Sequence, residues 1–130
     1  MMRAQDWLEQ AKLDLRHARN ARDDQDYNWS CFAAQQAAEK ALKALYLSRH
    51  LEGWGHSVKH LLEEMKEELE ISEELLAAGK KLDQYYILTR YPNGFAAGKP
   101  ADYYTDQDAC EAIGHAEKII EFCEGEIRSA

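Results

Sequence analysis

A chain of 130 residues holds one compact domain with a sizeable core and leaves no room for a second. Its 24 acidic against 16 basic side chains give a formal charge of −8, the wrong sign for coating duplex DNA through its phosphates. With 45% apolar residues, seven glycines and two prolines, the composition excludes both a disordered and an all-β chain.

The opening stretch, MMRAQDWLEQAKLDLRH, mixes acids and bases and has no apolar run. Neither a secretory leader nor a membrane-spanning helix is read there, and a cytoplasmic location is expected. Trp7, Ala11, Leu15 and Ala18 recur at helical steps while Lys12, Arg16 and Arg19 keep to another face, which predicts an amphipathic helix over about residues 3–22. The polar DDQD of 23–26 breaks it. YNWSCFAAQQAAEKALKALYLSRH then predicts a helix over about 27–50, with Phe32, Gln35, Ala38, Leu42 and Leu45 on one line and an alanine-lined side suited to close approach by another helix. Gly53 and Gly55 end that element. Ser57 is a candidate N-cap for a short helix over 58–69, and Ser72, followed by Glu73 and Glu74, opens a fourth that runs to about Arg90.

Pro92 and the turn pair Asn93-Gly94 stop the fourth helix and begin a loop over about 91–104. Thr105 and Asp108 are spaced as a reciprocal cap. Ala109, Ala112, Ile113, Ala116, Ile119, Ile120, Cys123 and Ile127 then form the buried stripe of a fifth helix. With no strand signal and no internal repeat, the expected fold is all-α, an up-and-down antiparallel bundle of about five helices in a single domain, 1–130. Cys31, Cys110 and Cys123 form no CxxC pair and are expected as three buried thiols, not as a disulfide or a zinc cluster.

Charge is unevenly spread. Residues 51–80 and 105–130 together hold 15 acids against 5 bases, whereas the rest of the chain holds 9 acids against 11 bases. The EEMKEELEISEE run reads as solvated helix surface, and a phosphate-bearing ligand is expected near the first two helices and the loop after Arg90. That stretch, TRYPNGFAAGKPADYYT, is long for so small a domain. Arg90 and Lys99 offer charged donors, Tyr91, Phe95, Tyr103 and Tyr104 offer stacking faces, and Gly94 and Gly98 allow close backbone approach, a set suited to a nucleotide or an unpaired base. The alternative is that the aromatics pin the loop to the bundle and Arg90 serves a helix C-terminus. Gln35, Gln36 and Glu39 are polar groups on an otherwise apolar helix and need partners, Lys43 being one for Glu39. His56 and His60 are four apart, but Ser57 starts the helix between them and no metal site is expected.

In chain order, WLEQAKLDLRHA, CFAAQQAAEKALKALYL, LDQYYILTRYPNG and DACEAIGHAEKIIEF resemble the HEPN domain (higher eukaryotes and prokaryotes nucleotide-binding), over nearly the whole chain. The resemblance implies an up-and-down helical bundle, commonly a homodimer, often encoded beside a minimal nucleotidyltransferase. It also implies a link to toxin–antitoxin modules in which many members are metal-independent ribonucleases. In the family that activity rests on an Arg-x4–6-His signature on a later helix. The spacing match here is Arg49 to His56, at the end of the second helix and across Gly53-Trp54-Gly55. Arg90-Tyr91-Pro92 is similar to the element of the nucleotidyltransferase-associated branch.

The favoured expectation is a noncatalytic module that pairs with itself through helix faces and works with a separately encoded minimal nucleotidyltransferase. It would offer a nucleotide- or phosphate-sized site at Arg90, Tyr91 and Lys99, with no cofactor and no metal. The alternatives are an endoribonuclease toxin that cleaves RNA with Arg49 and His56, or with His60 or His115, and a purely structural interaction bundle.

Overall fold

In the computed structural model, which describes residues 2–129, alanine sets the spacing of the interior. Helix α1 (Met2–Asp23) turns through residues 24–26 into α2 (Tyr27–Ser48), with Gln25 in the left-handed region at φ 66°. Ala4, Leu8, Ala11, Leu15 and Ala18 of α1 are buried, as are Ala33, Ala34, Ala37, Ala38, Ala41 and Ala44 of α2. Side chains this small let the two helix backbones approach closely, and the Ser30 hydroxyl on α2 donates to the Ala18 carbonyl of α1 at 2.7 Å. At its other end α2 closes with His50 at φ 60°, its N–H donating to Leu47 O.

The last helix, designated α5 (Asp106–Ser129), lays Ala109, Ala112, Ala116, Ile119 and Cys123 into the same core. Its start is the reciprocal cap read from the sequence: Thr105 N–H donates to Asp108 Oδ2 at 3.0 Å and Asp108 N–H to Thr105 Oγ1 at 3.1 Å. Three ion pairs set α5 antiparallel to α1, namely Lys12 with Glu124, Arg19 with Glu117, and Arg22 with Asp106. Three of the basic side chains of α1 are therefore paired with α5 acids.

Between α2 and α5 lies a short hairpin, α3 (Val58–Met65) and α4 (Glu73–Asp83). Both predicted serine caps form, Ser57 Oγ accepting from His60 N–H and Ser72 Oγ from Leu75 N–H, each at 3.1 Å. Asp83 at the end of α4 reaches back to the start of α3 and accepts from Ser57 Oγ (2.7 Å) and from Val58 N–H (2.6 Å). Leu61, Leu62, Met65 and Leu82 are thereby fully buried, each contributing about 1.5–3 kcal/mol of hydrophobic stabilisation.

Two helices are shorter than the sequence suggested. Helix α3 stops at Met65 instead of 69, where Glu63, Glu64, Glu67 and Glu68 crowd the negative end of the helix dipole and the backbone tightens into three-residue turns. Helix α4 stops at Asp83, not Arg90. The following YYILT is aromatic and β-branched, and side chains take the carbonyls a helix would use: Thr89 Oγ1 donates to Tyr85 O (2.6 Å) and Arg90 Nε to Tyr86 O (2.8 Å). The loop after it contains two 3-10 turns, Pro92–Gly94 and Pro100–Asp102. One cysteine also departs from expectation: Cys31 and Cys123 are buried but Cys110 is exposed, because it falls on the solvent side of α5. No helix among the described residues is long and apolar enough to cross a membrane.

Candidate functional site

The early end of α4 sends residues 84–91 across the first half of α2 as a chain of turns. One buried hydrogen bond pins it there, from Asn28 Nδ2 on α2 to Thr89 O at 3.0 Å. This places the Arg90 guanidinium against three aromatic faces, 4.4 Å from the ring centre of Phe32, 4.9 Å from Tyr86 and 5.2 Å from Tyr91. Each such contact is worth about 0.5–2 kcal/mol depending on how dry it is. The group is also anchored by its Nε–H bond to Tyr86 O, and Arg90 forms no ion pair among the described residues. Its remaining N–H groups are left to meet solvent or a ligand. Trp29, edge-on to Phe32 at 6.1 Å, and Tyr91 are about half exposed beside it.

Tyr86 carries the site further. The His56 ring stacks on it, with centroids 4.6 Å apart and planes 18° from parallel. His56 Nδ1 also lies 3.1 and 3.2 Å from the two carboxylate oxygens of Glu39. Glu39 is buried on α2 and accepts from Lys43 Nζ (2.9 Å), the pairing read from the sequence, and from Gln35 Nε2 (3.2 Å). Gln35 in turn donates to the His56 carbonyl at 3.0 Å, so α2 fixes both the backbone and the ring of His56. An imidazole oriented by a buried carboxylate, with its side chain 55% exposed, is placed to exchange a proton with something bound outside.

Of the residues read as site candidates, Arg90, Tyr91 and His56 come together around Tyr86. The others do not join them. Arg49 pairs with Glu126 of α5 at 3.6 Å, and its Nε is buried without a partner among the described residues. It caps α2 ten residues beyond Glu39, a rise of about 15 Å, so the Arg49–His56 spacing does not make a pair in space. Lys99 closes on Asp102 within its own turn, Nζ to Oδ1 at 3.1 Å. Phe95 stacks on Tyr103 at 4.2 Å and meets Tyr104 edge-on at 6.5 Å, while Tyr104 packs on the buried Tyr85. These loop aromatics pin the loop to the bundle. His60 pairs with Glu64 on α3 at 3.0 Å, and His115 sits on α5.

Phe32 and Tyr86 carry no spacing signal that marks them as site residues. The one clue to Glu39 was its position as a carboxylate in an alanine-lined helix, which required a partner from elsewhere in the chain.

This fold and sequence recur in known proteins. TT1696 of Thermus thermophilus has a crystal structure that superposes with a TM-score of 0.94 at 51% identity, covering 97% of this chain and 99% of that one. ST0689, described as an archaeal HEPN homologue, superposes at 0.82 with 38% identity over 95% of this chain and 97% of its own. TM0613 of Thermotoga maritima, described as a HEPN domain protein, superposes at 0.76 with 38% identity over 92% and 95% of the two chains. A Methanocaldococcus jannaschii protein named "Putative toxin MJ1304" is 29% identical over 124 residues, 88% of this chain and 82% of that protein. The pattern of the HEPN domain matches residues 4–126, and the chain belongs to the HEPN domain family.

Proposed function

We propose that this HEPN chain is a binding module for a nucleotide or another phosphate-bearing ligand, held at Arg90 and Tyr91, and that it acts with a separately encoded minimal nucleotidyltransferase in a toxin–antitoxin setting. The observation that carries the reading is the Arg90 guanidinium, set among Phe32, Tyr86 and Tyr91 with no carboxylate partner among the described residues. An arginine so held keeps its charge and planar donors for phosphate, and the half-exposed Tyr91 and Trp29 supply faces for a base. The naming of the M. jannaschii relative as a toxin supports the setting. Lys99, whose Nζ closes on Asp102 within its own turn, is left outside the proposed site.

Titration calorimetry with ATP and AMP, with co-purification of a co-expressed minimal nucleotidyltransferase, tests the proposal. Arg90→Ala is expected to weaken nucleotide binding about 10- to 100-fold, the loss of one charge-assisted contact. Neither nucleotide binding nor association with the nucleotidyltransferase, or affinities that Arg90→Ala leaves unchanged, would refute it and favour a structural bundle.

The Glu39–His56 contact supports a second reading, metal-independent RNA cleavage with His56 as proton-transfer group and Arg90, in place of Arg49, as the cation facing the phosphate. Its test is cleavage of a structured RNA without metal, which His56→Ala would abolish. Equal cleavage by that variant removes the reading.

A further inference from the structure

Beside the Arg90 cluster, α1 and α2 leave a cleft of about 260 Å³, lined by Asp14 and His17 of α1 and by Trp29, Phe32, Gln36 and Lys40 of α2. That is below the roughly 300–1,000 Å³ of pockets for drug-sized ligands and suits one planar ring system. Trp29 and Phe32 form two walls of a corner, their planes 80° apart and their centres 6.1 Å apart. A flat guest stacked on one ring meets the other edge-on, and both arrangements are attractive for π systems.

The polar lining is equally defined. Gln35 Nε2 donates to Glu39 Oε1 (3.2 Å) and to the His56 carbonyl (3.0 Å), so its Oε1 is the end that faces Gln36. Gln36 Nε2 donates to that oxygen at 2.7 Å and reaches Glu39 Oε1 at 3.4 Å. With its amide hydrogens directed into this network, Gln36 is left with Oε1, which accepts from no donor among the described residues. Lys40, one turn on, donates to Asp14 Oδ2 at 2.6 Å and keeps further N–H groups of its ammonium. The cleft therefore sets an acceptor beside a donor, the complement of a nucleobase edge, on which N–H donors and ring or carbonyl acceptors lie side by side.

Phe32 belongs to both places. Its ring lines the cleft and its centre lies 4.4 Å from the Arg90 guanidinium, so a base in the cleft and a phosphate at Arg90 are separated by one side chain's ring, a gap that a ribose bridges. Charge limits the ligand further. Lys40 is held by Asp14, and Lys43, further along α2, is held by Glu39 at 2.9 Å. This leaves Arg90, with no carboxylate partner among the described residues, as the cation for phosphate. One unpaired cation matches one phosphate, whereas a triphosphate or the successive phosphates of a strand would need more.

We infer that the α1–α2 cleft is the base seat of a nucleoside monophosphate, with the phosphate on Arg90, the ring against Trp29 and Phe32, and the base edge read by Gln36 and Lys40. The inference rests on the nucleotide reading above, and adds to it the place of the base and a preference for one phosphate over three.

Titration calorimetry of the full chain with AMP, ribose 5-phosphate and ATP is the test. AMP is expected to bind at least about tenfold more tightly than ribose 5-phosphate, and no more weakly than ATP. Trp29→Ala removes a half-exposed side chain, so helical circular dichroism should persist while the preference for AMP over ribose 5-phosphate falls at least about fivefold, the loss of one stacking face. Gln36→Met keeps the length of the side chain but not its acceptor, and should cut the same preference about 2- to 10-fold. Equal affinities for AMP and ribose 5-phosphate overturn the proposal. So does a preference that survives both Trp29→Ala and Gln36→Met, or ATP binding tenfold more tightly than AMP. If AMP binding is still lost in Arg90→Ala, those results leave the phosphate site at Arg90 standing. Absence of AMP binding removes both.

Discussion

Removing the carboxylate of Glu39 is the sharpest single probe of how the site is held. The group is 5% exposed in its side chain, and it accepts from Lys43, itself 16% exposed, as well as from Gln35 and Gln36. Breaking a buried pair by deleting one member costs about 3–5 kcal/mol, because the other charge is left without compensation. Lys43 is close enough to the surface to reach water, so the lower end applies, and Glu39→Ala is expected to cost about 3 kcal/mol. With an unfolding entropy of about 2.1 cal/mol/K per residue, the whole chain carries about 0.27 kcal/mol/K, so the melting temperature should fall by about 11 °C. Calorimetry or circular dichroism melts of Glu39→Ala, Lys43→Ala and the double variant measure it. The double variant should lose at least about 1 kcal/mol less than the sum of the singles, since removing both ends leaves no orphan charge. A Glu39→Ala melt within about 3 °C of wild type would refute the reasoning, for it would mean that the carboxylate holds neither Lys43 nor His56 in solution.

Other perturbations have equally defined outcomes. Because burial lowers the folded-state pKa of His115, the unfolded chain binds its proton first on acidification. This contribution to stability is therefore complete above the ordinary histidine value and is lost as pH falls from there through the lowered folded-state pKa. Melting temperatures at pH 7.5 and 5 should fall less in His115→Gln than in wild type, and equal falls would contradict the assignment. Two glycine-to-alanine changes should have opposite signs. At Gly79 an added Cβ would lie 3.1 Å from the Lys59 backbone, so Gly79→Ala forces α3 from α4 and lowers the melting temperature. At Gly125 it meets nothing within 4 Å, and Gly125→Ala should raise stability by up to about 1 kcal/mol through helix propensity. Thermal melts of both variants decide the matter, and equal signs would contradict it.

Helix periodicity and capping chemistry are local, which is why Ser57, Ser72 and the Thr105–Asp108 pair fell where the sequence placed them. The end of α4 was not legible, because its cause is tertiary. Asp83 is drawn to the start of α3 twenty-five residues earlier in the chain, and Asn28 holds the Thr89 carbonyl from α2. The site shared this fate. Arg90 and Tyr91 stood out by residue type in a long loop, whereas the meeting of His56, Tyr86 and Glu39 depends on three elements whose packing no spacing rule encodes. Lys99 matched the chemistry of a phosphate ligand but had an acid three residues on in its own turn, and the nearer partner took it.

An interior built from alanine responds to mutation in one direction. Ala34, Ala37, Ala38, Ala41 and Ala44 of α2 have no methylenes to lose and are almost wholly enclosed, as are Ala11 and Ala18 opposite them. Truncation, the ordinary route by which cores are damaged, has little to remove there. Enlargement is the hazard: one Ala→Val on this seam asks two backbones to separate or a side chain to leave its rotamer, at about 1–3 kcal/mol. Sequences that drift neutrally under this fold are therefore expected to exchange its leucines more freely than its alanines. The strictest record of selection for the fold would then lie in the smallest side chains of α2.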